Sequence, residues 1–274
     1  MVGGLIAREA KALRQQNREC GMGIEKDLSK RMKSEVDDLF CESSSGKVEL
    51  REVEYYVSHH GLDGPLESFL DQPIDTFPEE PRAELINVLG TYSHMHSPGR
   101  IVLVKDNIRR YFWRTCSTIL NNYPSIWITR NDLKNTVDVI VLKVWWHEQF
   151  HFCCDVFRQL FQSQFNPLIE EALAVAYSRS QVLNARQSSR STISRIHPQF
   201  FQIFMKIVYS YKSPGYRDWH LYGDPVRFGQ GLTVYAMNNG KVLSSNGVDV
   251  PRMLMDIIAS LLAKENSGYI EEIV

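Results

Sequence analysis

The residues of this 274-residue chain whose types and spacing carry chemistry are His147-Glu148-Gln149-Phe150-His151. At 3.6 residues per helical turn, positions 147 and 151 fall one turn apart on one face, so both imidazoles reach a single metal ion. Two neutral nitrogen ligands and tetrahedral geometry suit Zn²⁺. Glu148, beside the first histidine, stands where it can take a proton from a water polarised by that metal. With 8 histidines in the chain, chance yields such a pattern on the order of 1% of the time. Two histidines do not complete a zinc site, so a third ligand decides the matter.

Asp155 follows His151 by four residues, but a straight helix carries it about 6 Å further along the axis. That suits a supporting carboxylate better than a ligand, and Cys154 meets the same difficulty. The ligand is expected from a helix packed across the first. Asn166-Pro167 opens one, with Asn as N-cap and Pro at the first helical position. Its first turns carry Glu170-Glu171-Ala172-Leu173-Ala174. Either carboxylate can serve as ligand, or both can simply favour the helix dipole. The small Ala172 and Ala174 allow the two helices to approach closely.

An H-E-x-x-H helix followed about twenty residues later by a helix opening E-A-L-A resembles the gluzincin metallopeptidases, which include thermolysin-like and aminopeptidase-like enzymes. The resemblance covers residues 147–177. It implies a zincin-like fold, Zn²⁺ as cofactor and peptide-bond hydrolysis with Glu148 as general base. In that family the third ligand is the Glu of an N-E-[AG]-x-[AS]-type segment. Matched residue by residue, Glu171-Ala172-Leu173-Ala174 fits best, which makes Glu171 the ligand, 20 residues after His151. Glu170 also falls within the family's spacings. Family members often place Asp four residues after the ligand Glu to orient the first histidine, but here that position is Val175. The supporting carboxylate, which fixes histidine tautomer and affinity, must come from elsewhere, and Asp155 is one candidate.

The family resemblance also implies an antiparallel edge strand beside the active-site helix, to which a peptide adds as a further strand. Arg100-Ile-Val-Leu-Val-Lys105 is placed as such a strand would be, and equally as an internal one. For the oxyanion, the block 215–225 offers His220, Tyr216 and Tyr222 as donors, with Tyr177 on the ligand helix a weaker candidate.

These residues need elements to hold them. Residues 1–47 read as a helical N-terminal extension, charge-dense from Arg18 to Asp38, solvated or serving as a docking arm for a protein partner. Residues 48–57 fit a strand or a helix, and the four prolines between Pro65 and Pro81 mark loop. Residues 89–92 and 100–105 read as strand, turn, strand. Asp106 then caps a helix bearing Ile108, Tyr111, Phe112 and Ile119. The central helix is expected from Asn135 or Thr136 to about Phe161, with Trp145 and Trp146 as core packing. Residues 184–195 are Ser/Arg-rich and predict a mobile basic loop. Residues 198–211 and 253–264 complete the set as helices. His59-His60, His94, His96 and His197 fall at loops, turns and a helix entry. The tally is an α+β fold, mostly helical with a small mixed or antiparallel sheet; residues 48–274 form one domain, zincin-like by the resemblance.

Composition narrows the setting. Lys+Arg 31 against Asp+Glu 32 leaves a formal charge of -1, without the basic footprint of a nucleic-acid binder. Hydrophobic residues at 43% suffice for a sizeable core. No stretch approaches the ~18 apolar residues of a membrane span, and no signal peptide opens the chain. Five irregularly spaced cysteines argue for reduced thiols and a cytoplasmic protein. The expectation is a cytoplasmic zinc metallopeptidase acting on a peptide or protein substrate. Its alternative is a non-catalytic zinc-binding or partner-binding protein on the same scaffold.

Overall fold

A computed structural model describes residues 24–39, 46–62, 89–93, 100–161, 166–237 and 270–273. In chain order its elements are α1 (Ile24–Leu39), α2 (Leu50–His59), β1 (Gly90–Ser93), β2 (Arg100–Leu103), α3 (Lys105–Asn122), α4 (Arg130–Phe161) and α5 (Pro167–Gln187). A 3-10 turn (Thr192–Arg195), α6 (Pro198–Val208), a second 3-10 helix (Tyr216–Tyr222), α7 (Pro225–Met237) and β3 (Ile270–Ile273) follow. The fold is mostly helical. Among the described residues no helix is long and apolar enough to cross a membrane. His94, His96, the prolines from 65 to 81 and the helix expected at 253–264 lie outside the described residues.

Helix α4 is the axis of the molecule. It begins at Arg130, earlier than Asn135 or Thr136, because Thr129 and Asp132 cap it reciprocally. Asp132 Oδ2 accepts from the Thr129 amide at 2.9 Å and the Asp132 amide donates to Thr129 Oγ1 at 3.2 Å, a capping box. Thr136 already lies inside the helix, its hydroxyl donating back to the carbonyls of Asp132 and Leu133. The β-branched run Val137, Val139, Ile140, Val141 and Val144 is a poor helix former. All five are buried, so packing overrides propensity. Phe150 and Phe157, fully buried on the same helix, each contribute about 1.5–3 kcal/mol of apolar burial.

Around this axis, α2 settles the ambiguity of residues 48–57 in favour of a helix, burying Val53, Tyr56 and Val57 at helical spacing. Helix α1 is not a solvated helix: Leu28, Met32 and Val36, at steps of four, are buried in the common core. Its outer charges reach across to α4, where Asp37 pairs with Arg130 at 2.5 Å and Lys134 at 2.6 Å. Asp138 of α4 takes Lys33, Ser29 and Thr192.

The basic segment 184–195 is ordered rather than a loop throughout. Helix α5 continues to Gln187, and the 3-10 turn after it buries Ile193. Arg186 donates to the Ile193 carbonyl and stacks on Phe201, 4.7 Å from the ring centroid.

The sheet is three-stranded in the order β1-β2-β3, with β1 antiparallel and β3 parallel to β2. Residues 100–103 are therefore the middle strand, paired on both sides, and not the free edge. Among the described residues the strand at the sheet edge beside α4 is β1. Gly90 lies so close to α4 that an added Cβ would stand 2.6 Å from Val144 Cγ1 and 3.1 Å from Glu148 Oε1.

Candidate metal centre

Helices α4 and α5 pack directly on one another. Asn166 caps α5 by accepting from the Ile169 amide at 3.3 Å, with Pro167 at the first helical position. Ala172 and Ala174 are both buried, as close helix approach requires. Val175, where gluzincins often carry a carboxylate, is buried in the apolar core. The crossing brings the first turns of α5 over the face of α4 that carries both histidines.

Three ligand atoms converge there. Nε2 of His147 and Nε2 of His151 lie 3.1 Å apart. Oε2 of Glu171 is 3.2 Å from the first and 3.4 Å from the second. Ligand atoms about 2.0–2.1 Å from one tetrahedral ion are separated by nearly these distances. Among the described residues His147, His151 and Glu171 form the one group of three or more potential ligands within reach of a single ion.

The chemistry of the donor set fits a cation. His151 presents Nδ1 to Glu170 Oε1 at 2.8 Å. With the proton on Nδ1, its Nε2 faces the cluster as a lone pair. Oε2 of Glu171 is buried and accepts no hydrogen bond among the described residues. A buried acceptor without a donor is costly, and a divalent cation within its reach would remove that cost.

Charge in this pocket is strongly coupled. Burial alone would raise the Glu171 carboxyl, but the two imidazoles hold it well below the usual carboxylate range. Burial would lower His151, yet Glu171 and Glu170 hold its pKa well above the ordinary histidine value. A metal entering the cluster would displace that proton. Glu148, only 6% exposed, is pushed up by burial and by Glu171, against the opposing pull of both histidines. A carboxyl raised in this way is a stronger proton acceptor than a free one.

Of the oxyanion candidates, the structure brings Tyr216 to the cluster. Its ring stacks on His147 at 5.7 Å, and burial together with Glu171 and Glu148 raises its hydroxyl well above the ordinary tyrosine value. Gly215 makes this placement possible. Its φ of 80° is left-handed, and its Cα approaches Glu171 and Leu168 so closely that a Cβ would stand 3.2 Å from each. His220 is exposed, and its Nδ1 donates to the Arg217 carbonyl at 2.8 Å. None of its contacts among the described residues reaches the cluster. Tyr222 packs its ring against Gly231 of α7 and near Leu173. Tyr177 is buried among Trp146, Phe150 and Phe228. Asp155 pairs with Arg158 at 3.5 Å; the carboxylate at the Nδ1 of His151 is that of Glu170. Cys154 is fully buried, its thiol held neutral by burial first and by Glu170 second.

Sequence reading missed Lys143, one turn before His147 on the same stripe. It is 4% exposed. Its Nζ lies 3.2 Å from the Tyr111 hydroxyl and over the rings of Tyr111, Tyr211 and Tyr209 at 4.8, 5.0 and 5.5 Å. Tyr211 in turn packs 5.4 Å from Tyr216. The i, i+4 spacing to His147 was the available signal; the tyrosines that enclose the ammonium come from distant segments.

No protein-family model, curated protein or solved structure matches the chain.

Proposed function

We propose that this protein is a zinc-dependent metallopeptidase of the gluzincin type on a zincin-like scaffold, working in the cytoplasm on a peptide or protein substrate. The observation that carries this reading is the convergence of Nε2 of His147, Nε2 of His151 and Oε2 of Glu171 within 3.1–3.4 Å beside the buried Glu148. These three side chains would hold the ion. Bound there, Zn²⁺ supplies Lewis acidity toward the scissile carbonyl and toward the attacking water.

Glu148 takes a proton from the water as its oxygen bonds to the carbonyl carbon, and delivers it to the nitrogen as the C–N bond breaks. Tyr216 donates to the oxygen on which charge develops. The substrate backbone adds to the edge of β1, which lies against α4 at Gly90 and Glu148; this replaces β2, whose two edges are occupied. The free thiols of Cys116, Cys153 and Cys154 suit a reducing compartment.

The test is turnover of a mixed peptide library by zinc-loaded wild type and Glu148→Gln. Wild type should cleave, and Glu148→Gln should lose about 10²–10⁴-fold in rate with its zinc retained. Equal cleavage by both proteins, or none by zinc-loaded wild type, would overturn the proposal.

A further inference from the structure

Glu170 is 1% exposed, and its two oxygens are divided between two tasks. Oε1 meets Nδ1 of His151 at 2.8 Å. Oε2 accepts from Arg158 Nη1 and from the Tyr235 hydroxyl. Arg158 Nη1 and the Tyr235 hydroxyl also lie 2.9 Å from each other, so the three side chains form a closed triangle. Arg158 comes from α4, Glu170 from α5 and Tyr235 from α7, outside the segment that carries the metal motif. A carboxylate at this depth is tolerated only when donors satisfy it.

We propose that Arg158 and Tyr235 are positioning residues for the metal centre, acting through Glu170. Together they saturate Oε2 and fix the plane of the carboxylate. That leaves Oε1 as the acceptor facing His151, so the ring proton stays on Nδ1 and the Nε2 lone pair faces His147 and Glu171. Carboxylate–imidazole–metal arrangements of this kind set ring orientation and ligand basicity. Here the carboxylate is itself gripped by a charged donor and a phenol, which makes the hold on His151 stiffer than one hydrogen bond would. Glu170 also sits at the ring nitrogen opposite the cluster, which assigns it to support rather than ligation. The packing of α7 is thereby tied to metal affinity.

The inference rests on the metal reading, and the experiment separates the two. Zinc affinity is measured by competition with a chelator for wild type, Glu170→Gln and Tyr235→Phe, with thermal melts of the metal-free proteins alongside. Glu170→Gln should weaken zinc binding about 10–100-fold. Tyr235→Phe keeps the ring and loses only the donor, and should weaken binding about 3–10-fold in the same direction. In ¹⁵N-histidine spectra of the zinc-loaded proteins, the wild-type His151 should carry its proton on Nδ1, with that signal perturbed in both variants. Lower melting temperatures with unchanged zinc affinity and unchanged histidine signals would reduce the triangle to a helix clasp and overturn the proposal. Should Glu170→Gln fail to fold, Tyr235→Phe decides alone. Absence of zinc binding in wild type would bring down the metal reading itself, and this inference with it.

Discussion

Glu170 and Glu171 are neighbours on α5, yet their carboxylates reach opposite nitrogens of one imidazole: Glu170 Oε1 lies 2.8 Å from Nδ1 of His151, and Glu171 Oε2 lies 3.4 Å from its Nε2. Successive residues on a helix point about 100° apart, so the pair embraces the ring of a third residue on the crossing helix. On the metal reading, one carboxylate would orient the ring and the other would share a lone pair with the ion, so the geometry favours Glu171 over Glu170 as the ligand.

It follows that the two glutamates differ in what their loss removes. Loaded with zinc and dialysed, wild type should carry about one Zn²⁺ per chain. His147→Ala and Glu171→Gln should each carry essentially none, since three protein ligands are the minimum of a catalytic zinc site. Elemental analysis of the purified proteins measures this directly. Zinc retained at the wild-type level in Glu171→Gln would move the third ligand elsewhere.

Tyr216 and His220 belong to the same short 3-10 helix, and the structure separates their consequences. Tyr216 stacks on His147, whereas His220 is exposed and engaged with its own turn. In peptide hydrolysis Tyr216→Phe should lower kcat about 10²–10³-fold, the usual loss of one oxyanion donor, with zinc content unchanged. His220→Ala should leave both kcat and zinc content at wild-type values. The reverse ranking of the two variants would transfer the donor role to His220.

That His147 and His151 share one face and meet the first turns of α5 was legible in the sequence because helical spacing is a local property. His147 and His151 at four residues, and the Asn166-Pro167 start of α5, need nothing beyond chain geometry. What the sequence hid were non-local facts. Strand 100–103 and its pattern of apolar residues were readable, but its central position depends on β3, more than 160 residues away. Helix α7 escaped notice because Gly229 and Gly231 weaken the helical pattern. Gly231 is there to admit the Tyr222 ring, which occupies the space of a Cβ. With α7 unread, Tyr235 could not be connected to Glu170. Likewise the buried stripe of α1, Leu28, Met32 and Val36, is diluted by charges that look solvated until Arg130, Lys134 and Asp138 supply their partners.

Gly90 marks the closest approach of the sheet to Glu148. A methyl group there would stand 2.6 Å from Val144 Cγ1, a stiff branched side chain, and 3.1 Å from Cγ and Oε1 of Glu148. Gly90→Ala should therefore destabilise the fold by about 1–3 kcal/mol, the usual cost of overpacking, and slow catalysis by displacing the base or the strand. Removing the harder contact in Gly90→Ala/Val144→Ala should recover part of that loss relative to Val144→Ala alone. Urea unfolding of the four proteins gives the coupling. Additive effects would show that β1 yields without strain.

Lys143 offers a pH signature that owes nothing to the metal. Burial pushes its ammonium from the ordinary 10.5 down to about 7, while the surrounding tyrosine rings attract the charged form. Between pH 7 and 10.5 the unfolded chain binds this proton and the folded chain does not, so the group makes stability rise with pH by up to about 1.4 kcal/mol per pH unit. Below pH 7 both states hold the proton, and the cost of burying the charge is constant and at its largest. Lys143→Met has similar length and no proton, and should be more stable than wild type by an amount that is level below pH 7 and shrinks above it. Groups common to both proteins cancel in that difference. Urea unfolding at several pH values between about 6 and 9 measures it. A difference that does not change with pH would mean that the tyrosine cage keeps the ammonium charged throughout, and that cation–π attraction outweighs burial at this site.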